Sequence, residues 1–377
     1  MSYSDREACI ILNMVSGVGS ARLEAMVSYF GAPCRILEAD EQELTRINGV
    51  GKVLAEKICS WEDTIDLEVE TGLAERGGVK IITRYDNDYP ELLKEIHDPP
   101  ICLYVRGEIP PITPRTLAIV GSRRISTYGR TMARHLAESA AYSGWLVVSG
   151  LAYGVDAIAH QATMDAKGKT IAVLGGGLAK IQPQDHIPLA REIMENGALI
   201  SEFPMEFPAS RHSFPMRNRI ISGLSRGVLV VEAGLKSGAL ITAKQALEQG
   251  KLVFSVPGQA DNPQARGCNY LIKQGAKLTE NFDDILEEFE FLPEAAKIRE
   301  ERESEEDIAT EKDEESEVAD NLSEEETKIL KALKDKEQTV DNLIAETQLS
   351  PGKLLSLLMQ MEMKKLIKQL PGRKYTA

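Results

Sequence analysis

Three rhythms of apolar residues succeed one another along this 377-residue chain. Up to about residue 75 the apolar positions recur every three or four residues over short stretches, the spacing of one helix face. Between residues 115 and 256 the pattern becomes six continuous apolar runs, at 117–120, 145–148, 170–174, 198–201, 228–231 and 252–256, separated by helix-length segments. Continuous runs bounded by glycine mark strands buried on both faces, and alternation with helices makes the sheet parallel. The expected class is α/β, a doubly wound parallel sheet with helices on both faces. Just ahead of it, 79–83 and 101–105 read as two short strands forming a lead-in layer. Helical periodicity returns at 321–377.

These changes of rhythm divide the chain into a helical module at 1–75, a core at 76–292, a linker at 293–320 and a terminal module at 321–377. In the first module Ser16-Gly17-Val18-Gly19 and Asn48-Gly49-Val50-Gly51 repeat one pattern. Each opens a helix, with Leu23, Met26 and Val27 in one and Leu54, Ala55 and Ile58 in the other. The repeat resembles the helix-hairpin-helix, which binds DNA backbone without sequence preference, and the domain is expected to be of this SAM-like kind. Two purely structural turns explain the pattern as well, since Glu24 and Glu56 oppose Lys52 and Lys57. The terminal module opens on Ser323 and Glu326, a capping-box spacing. It carries Ile329, Leu330 and Leu333, then Val340, Leu343 and Ile344, then Leu354, Leu355, Leu358 and Met361. Met359, Met361 and Met363 read as core or contact residues. Three short helices followed by 366–370, Pro371-Gly372 and Tyr375 suggest a winged helix. Its net charge of +2 favours protein docking over DNA binding.

Charge first argues against a polyanionic partner: the formal net is −14, and nucleic acid repels acidic surfaces. The excess is concentrated, however. Residues 297–320 hold twelve acids and four bases, and such a segment reads as a flexible linker. No run of ~18 apolar residues calls for a transmembrane helix. The first residues lack the apolar core of a secretory signal. Five scattered cysteines without a C-x-x-C pair disfavour zinc ribbons and disulfide frameworks and fit a reducing cytoplasm. The histidines show no metal-ligand spacing, so neither metal nor cofactor is expected.

In a doubly wound sheet, ligands bind beyond the C-terminal strand ends. The informative residues should follow each run, and they do. Gly121-Ser122-Arg123-Arg124 follows the first. An arginine there, beside small residues, suits a phosphate through its two-pronged hydrogen bonding. After the fourth run, Arg211, Arg217 and Arg219 surround Phe214 and Asn218. Basic residues interleaved with an aromatic suit single-stranded nucleic acid, where each stacked base contributes ~1–3 kcal/mol. For Arg217 and Arg219, internal ion pairing with Glu202 or Glu232 is an equal alternative. Ser237 and Gly238 open a helix over 239–248, with Ser237 expected as its cap and the N-terminus favouring an anion. Gly175-Gly176-Gly177 fails the dinucleotide spacing at Lys180 and reads as a strand-end turn. No Walker motif is present. Asp156 and His160, four apart on one helix face, could form an acid–base pair, but capping and packing roles are favoured.

The ordered motifs make the core specific. They are Ile119-Val120-Gly121-Ser122-Arg123-Arg124; Ser149-Gly150-Leu151-Ala152-Tyr153-Gly154-Val155-Asp156; Ile200-Ser201-Glu202-Phe203-Pro204; Phe214-Pro215-Met216-Arg217-Asn218-Arg219; Ser237-Gly238-Ala239-Leu240-Ile241-Thr242; and Gly267-Cys268-Asn269-Tyr270. Together they resemble the DprA family, also called Smf, the DNA-processing factors of bacterial transformation. The resemblance implies an extended Rossmann-like core flanked by a helical module and a winged helix. It implies a non-catalytic single-stranded DNA binder that dimerises through its core and loads RecA, with single-strand-binding protein as a further partner. It also implies Arg123 as the phosphate-binding arginine, Arg211 and Phe214 at the basic and aromatic positions, and Ser237 and Gly238 as the small loop residues. The chain departs from the family pattern at Ala179, where an aspartate is usual, and at Gln182, where a tyrosine is usual. A nucleotide-binding or nucleotide-hydrolysing enzyme, or a nucleotide sensor, on the same core is the alternative. The segment from Glu232 to Thr242 lacks the P-G-G-x-G-T-x-x-E of phosphoribohydrolases.

Overall fold

The computed structural model describes residues 3–113, 115–290, 324–333, 336, 338–363, 367–370 and 374–376. The expected linker at 293–320, the Ser323 cap and the Pro371-Gly372 turn lie outside the described residues. The chain divides into two compact units, one within residues 1–292 and the other within 293–377.

The first unit begins with six helices: α1 (Asp5–Met14), α2 (Ser20–Phe30), α3 (Pro33–Glu38), α4 (Glu41–Leu44), α5 (Lys52–Cys59) and α6 (Leu67–Arg76). The two glycine repeats behave as expected: Gly19 and Gly51 are the N-caps of α2 and α5. Gly17 and Gly49 take positive φ of 105° and 84°, which only glycine adopts without strain. Arg22 ties the two turns together, donating to Gly17 O at 2.5 Å and Gly49 O at 2.9 Å.

The core follows as β1 (Val79–Thr83), α7 (Glu91–Lys94), β2 (Cys102–Gly107), β3 (Thr116–Val120), α8 (Thr127–Tyr142), β4 (Leu146–Ser149), α9 (Val155–Asp165), β5 (Thr170–Val173), α10 (Ile187–Asn196), β6 (Ala198–Ser201), α11 (Ser213–Gly223), β7 (Gly227–Val230), α12 (Ala239–Glu248), β8 (Leu252–Ser255), α13 (Arg266–Lys273), β9 (Lys277–Leu278) and α14 (Asp283–Glu290). The nine strands form one sheet in the order β1-β2-β6-β5-β4-β3-β7-β8-β9. From β6 to β9 all neighbours are parallel. The two leading strands are not a separate layer, which corrects the expectation for them. Instead β2 pairs antiparallel with β6, and β1 with β2, so they extend the sheet at one edge.

The alternating faces of each strand feed different layers. Ala118, Val120, Val148, Val173, Val228 and Val230 pack under α11, α12 and α13. Leu117, Ile119, Val147 and Leu229 pack on the opposite side against α8, α9 and α14. A separate cluster joins the sheet to the N-terminal helices. Leu23, Met26, Ile36 and Ile58 share one core with Tyr104, Ala172, Leu174, Leu199 and Met205. Polar contacts reinforce the seam: Asn13 Nδ2 donates to Glu202 O at 3.0 Å, and Met205 N donates to the buried Glu70 at 2.8 Å.

The second unit has three helices, α15 (Glu324–Leu333), α16 (Val340–Thr347) and α17 (Pro351–Met363), and three strands, β10 (Gln338–Thr339), β11 (Lys368–Leu370) and β12 (Lys374–Thr376). The strands form a small antiparallel sheet, order β10-β12-β11. Ile329, Leu333, Leu343, Leu354, Leu358, Met361, Ile367 and Tyr375 make its core. This is the expected winged helix. Among the described residues no helix is long and apolar enough to cross a membrane.

Because the N-terminal helices and the sheet share one core, residues 1–292 should melt in a single calorimetric transition. Removing residues 1–76 strips the cover from Leu174, Leu199 and Met205. The truncated form should bind an apolar dye and melt lower by well over the ~2–4 °C that 1 kcal/mol represents at this size. An unchanged midpoint would mean that the helices are an independent appendage.

Candidate nucleic-acid interface

Reading outward from β3 gives strand order β4, β5 on one side and β7, β8 on the other. The connection direction therefore reverses between β3 and β7, which is where an open α/β sheet forms its ligand crevice. A cleft of about 610 Å³ lies there. Its walls come from the expected strand-end segments: Gly121, Ser122 and Arg123 after β3, Arg211, Phe214, Arg217 and Asn218 around the start of α11, and Ser237 and Gly238 before α12. Lys236, Arg124, Asp156 and Gln264 also line it, and the motif reading had not assigned these to binding.

The loop after β3 is held from within. Ser122 N donates to Glu232 O at 2.7 Å, and Ser122 Oγ donates to Arg124 O at 2.7 Å. Gly121 sits so close to Val155 that any side chain would collide with it. The same loop requires Gly154, where φ is 81° and a Cβ would strike Ser122 O. Ser122 and Gly121 therefore shape the loop, and they leave Arg123 exposed at its tip. The Arg123 guanidinium lies over the Phe214 ring, 5.0 Å from its centroid. That cation–π contact is modest at an exposed site, ~0.5–1 kcal/mol, so a competing base can displace it.

Phe214 is fixed from behind. Ser213 Oγ donates to Gly175 O at 2.5 Å, and a Cβ on Gly175 would approach the Phe214 ring to 2.8 Å. Gly176 and Gly177 are equally tight against Ala209, Pro204 and Met205. The triple glycine thus serves close backbone packing at a strand end, as expected. Arg123, Phe214 and Arg217 also face a smaller cavity of about 130 Å³, shared with Lys180 and Gln182. Gln182, one of the two departures from the family pattern, is therefore at the site. Ala179, the other, is exposed and its N–H donates to Met205 O at 2.9 Å.

The three arginines of the 211–219 segment separate. Arg211 is exposed in the cleft. Arg217 is only 4% exposed. Its guanidinium fills the space that a Gly150 side chain would take, and it donates to Val173 O at 2.6 Å. Burial pushes its pKa down to about 10, opposed by the Asp156 carboxylate. Arg217 is thus a charged floor to the cleft. Gly150 was missed as a site residue; its signal was a glycine at a strand end directly before Leu151, whose φ is 57°.

Arg219 is a correction. It does not line the cleft: it pairs with Glu202 at 2.6 Å and with Asp98 at 3.1 Å. Burial works against its charge, and the Glu202 and Asp98 carboxylates prevail, raising its pKa. Helical geometry explains the split, because Arg217 and Arg219 are two residues apart on α11 and so face different ways. The helix-cap expectation for Ser237 shifts by one residue. Gly238 is the N-cap of α12, and Ser237 Oγ accepts from Ala239 N at 3.3 Å. Asn218 makes a long 3.5 Å contact to Gly238 O.

Asp156 and His160 do not form an acid–base pair. Asp156 reaches back to accept from Ala152 N at 3.4 Å, and burial raises its pKa against the pull of Arg217. His160 is fully buried on Thr170 Oγ1 at 2.7 Å. Among the described residues no cluster of three or more His, Cys, Asp or Glu side chains could hold a metal.

The sequence profile described as DNA recombination-mediator protein A matches residues 80–290. A DprA winged helix domain profile matches 313–373, and a SAM-like helix-hairpin-helix tandem matches 10–60. Protein Smf of Escherichia coli is 49% identical over 212 residues, which span 55% of this chain and 57% of that protein. Protein Smf of Synechocystis is 33% identical across 100% of this chain and 99% of its own length. The crystal structure of DNA processing protein A from Streptococcus pneumoniae aligns with a TM-score of 0.68 at 31% identity, covering 78% of this chain and all of that one. A Helicobacter pylori DNA processing protein A, studied for its single-stranded DNA binding mode, aligns with a TM-score of 0.51 at 30% identity over 56% of this chain and 96% of its own.

Two outcomes test the assignments made here. Arg219→Ala leaves Glu202 buried without its partner and should cost about 3–5 kcal/mol in urea unfolding; a loss under 1 kcal/mol would refute the structural role. His160 concerns pH. Burial lowers its pKa from 6.5 to about 3, so on acidification the unfolded chain takes up this proton first. Its contribution is complete above pH 6.5 and declines towards pH 3. His160→Gln should flatten the fall of the melting temperature across that window, and a parallel curve would contradict it.

Proposed function

The chain belongs to the DNA recombination-mediator protein A family, the DprA/Smf proteins, and from that premise we propose that it binds single-stranded DNA in the β3/β7 cleft and acts as a non-catalytic recombination mediator. The observation that carries this reading is the pairing of Arg123 with Phe214 at the mouth of a cleft floored by Arg217. A phosphate takes charge-assisted hydrogen bonds from Arg123, with Arg211, Arg124 and Lys236 around it. An unpaired base takes the Phe214 face that Arg123 covers. A duplex keeps its bases stacked on each other and cannot offer one to Phe214, so single strands are favoured. A cytoplasmic location, loading of RecA onto the bound strand, release from single-strand-binding protein and action as a homodimer complete the proposal. Met216 and Leu247, exposed on the neighbouring helices α11 and α12, are apolar side chains available for dimerisation through the core.

Arg123→Glu tests the site. It places a carboxylate at the phosphate position and releases the Phe214 face, so single-strand affinity in a low-salt gel shift should fall at least about 100-fold. Melting temperature and oligomeric state should stay unchanged. Wild-type affinity in this variant would exclude the cleft. A nucleotide-release assay on the same protein should show no turnover; release would favour the nucleotide-processing alternative.

A further inference from the structure

Glu232 takes no part in the cleft described so far, yet its carboxylate is placed as ligand-binding groups are. It follows β7 and is 3% exposed. One oxygen, Oε2, accepts from Ser126 N at 3.1 Å and from Ser126 Oγ at 2.8 Å. Ser126 in turn caps the sixteen-residue helix α8 by accepting from Gly129 N at 3.1 Å. Gly129 is required here, because any side chain would collide with Glu232 Oε2. The other oxygen, Oε1, is buried without a hydrogen-bond partner among the described residues. A buried carboxylate oxygen left unpaired costs several times an ordinary hydrogen bond.

Glu232 lines a second cleft, of about 520 Å³, between the start of α8 and the 256–265 loop. Among the described residues lining it there is no lysine or arginine, so a phosphate has no counter-charge, and Glu232 would repel it. What Oε1 lacks is a donor. Tyr128 supplies a flat apolar face: the residue is 50% exposed, and its hydroxyl is anchored on Pro257 O at 3.0 Å. Val256 and Pro257 complete the apolar wall. An acceptor buried beside an aromatic face suits a planar ring with an exocyclic amino group. The two clefts are near neighbours. Ser122 and Gln264 line the first, while Ala265 and Glu232 line the second, and Ser122 N bonds Glu232 O.

We propose that this second cleft is a nucleobase subsite that prefers amino-bearing bases (cytosine, adenine or guanine) over thymine. The amino group donates to Glu232 Oε1 while the ring stacks on Tyr128. Thymine presents its single ring N–H between two carbonyl oxygens, which the carboxylate repels. The base belongs to the strand held at the Arg123 cleft, so the inference rests on the proposed function; a free nucleoside would offer the same chemistry.

The test uses the full chain with oligo(dC) and oligo(dT) of equal length. Wild type should bind oligo(dC) about ten-fold more tightly, the scale of one hydrogen bond to a charged group. Glu232→Gln keeps an acceptor for Ser126 and turns an NH₂ towards the cleft, so the preference should vanish or reverse. The ratio is the readout, and a general loss of folding does not invert it. If Glu232→Gln does not fold, Tyr128→Ala serves instead and should weaken both homopolymers about five-fold or more. Equal wild-type affinities, a ratio unchanged by Glu232→Gln, or full affinity in Tyr128→Ala would each overturn the subsite. Cytidine alone separates the sources. Stabilisation of wild type but not of Glu232→Gln, without a strand preference, assigns the subsite to a free nucleoside. Failure to bind any single strand defeats the proposed function, and cytidine then decides the subsite by itself.

Discussion

A guanidinium sealed between two strand ends is the constraint on which the rest of the site depends. Arg217 has lost most of its water, and it persists as a cation because Val173 O accepts from it and Asp156 opposes the cost of burial. Removing either charge would strand the other, a loss of about 3–5 kcal/mol. The arrangement dictates its surroundings. Gly150 has no side chain because Arg217 occupies that space. The Leu151 backbone takes a left-handed turn at 57°, and Asp156 holds Ala152 from the first turn of α9. With the floor fixed in this way, Phe214, one turn earlier on α11, is presented at the cleft mouth where Arg123 can reach it. The N-terminal helices support the same construction from outside, through Asn13 and Glu70 on the 202–205 segment.

Much of this was legible because burial on both faces leaves a strong trace. Each of the six apolar runs became a strand within about a residue of its expected place, and the small residues after them became the cleft rim. What the pattern did not reveal was pairing and direction. The runs at 79–83 and 101–105 look like any short strands, and nothing in them says that they pair antiparallel at the edge of a parallel sheet. Likewise Arg217 and Arg219 sit in one motif with the same chemistry. Only the helix placing one over Gly150 and the other beside Glu202 separates a cleft floor from a structural ion pair. Partners such as Asp98, more than a hundred residues away, leave no local signal.

The net charge of −14 also takes on a different meaning. Within the folded unit, Arg123, Arg124, Arg211 and Lys236 line one crevice together with Arg217. On the proposed reading such a site would engage a few phosphates and be screened steeply by salt. The proposed Glu232 subsite fits this division, with phosphates assigned to the basic cleft and a base to the cleft lined by Glu232 and Tyr128.

In the proposed complex a single strand lies in the β3/β7 cleft with a base on Phe214. Photo-crosslinking addresses it most directly. A single strand carrying a halogenated pyrimidine is bound to the full chain, irradiated, and the adduct located by mass spectrometry. The expected adduct is on Phe214, lost on adding excess unlabelled single strand and kept on adding duplex. Adducts confined to residues 324–376 or to the N-terminal helices, with Phe214 unmodified, would contradict it.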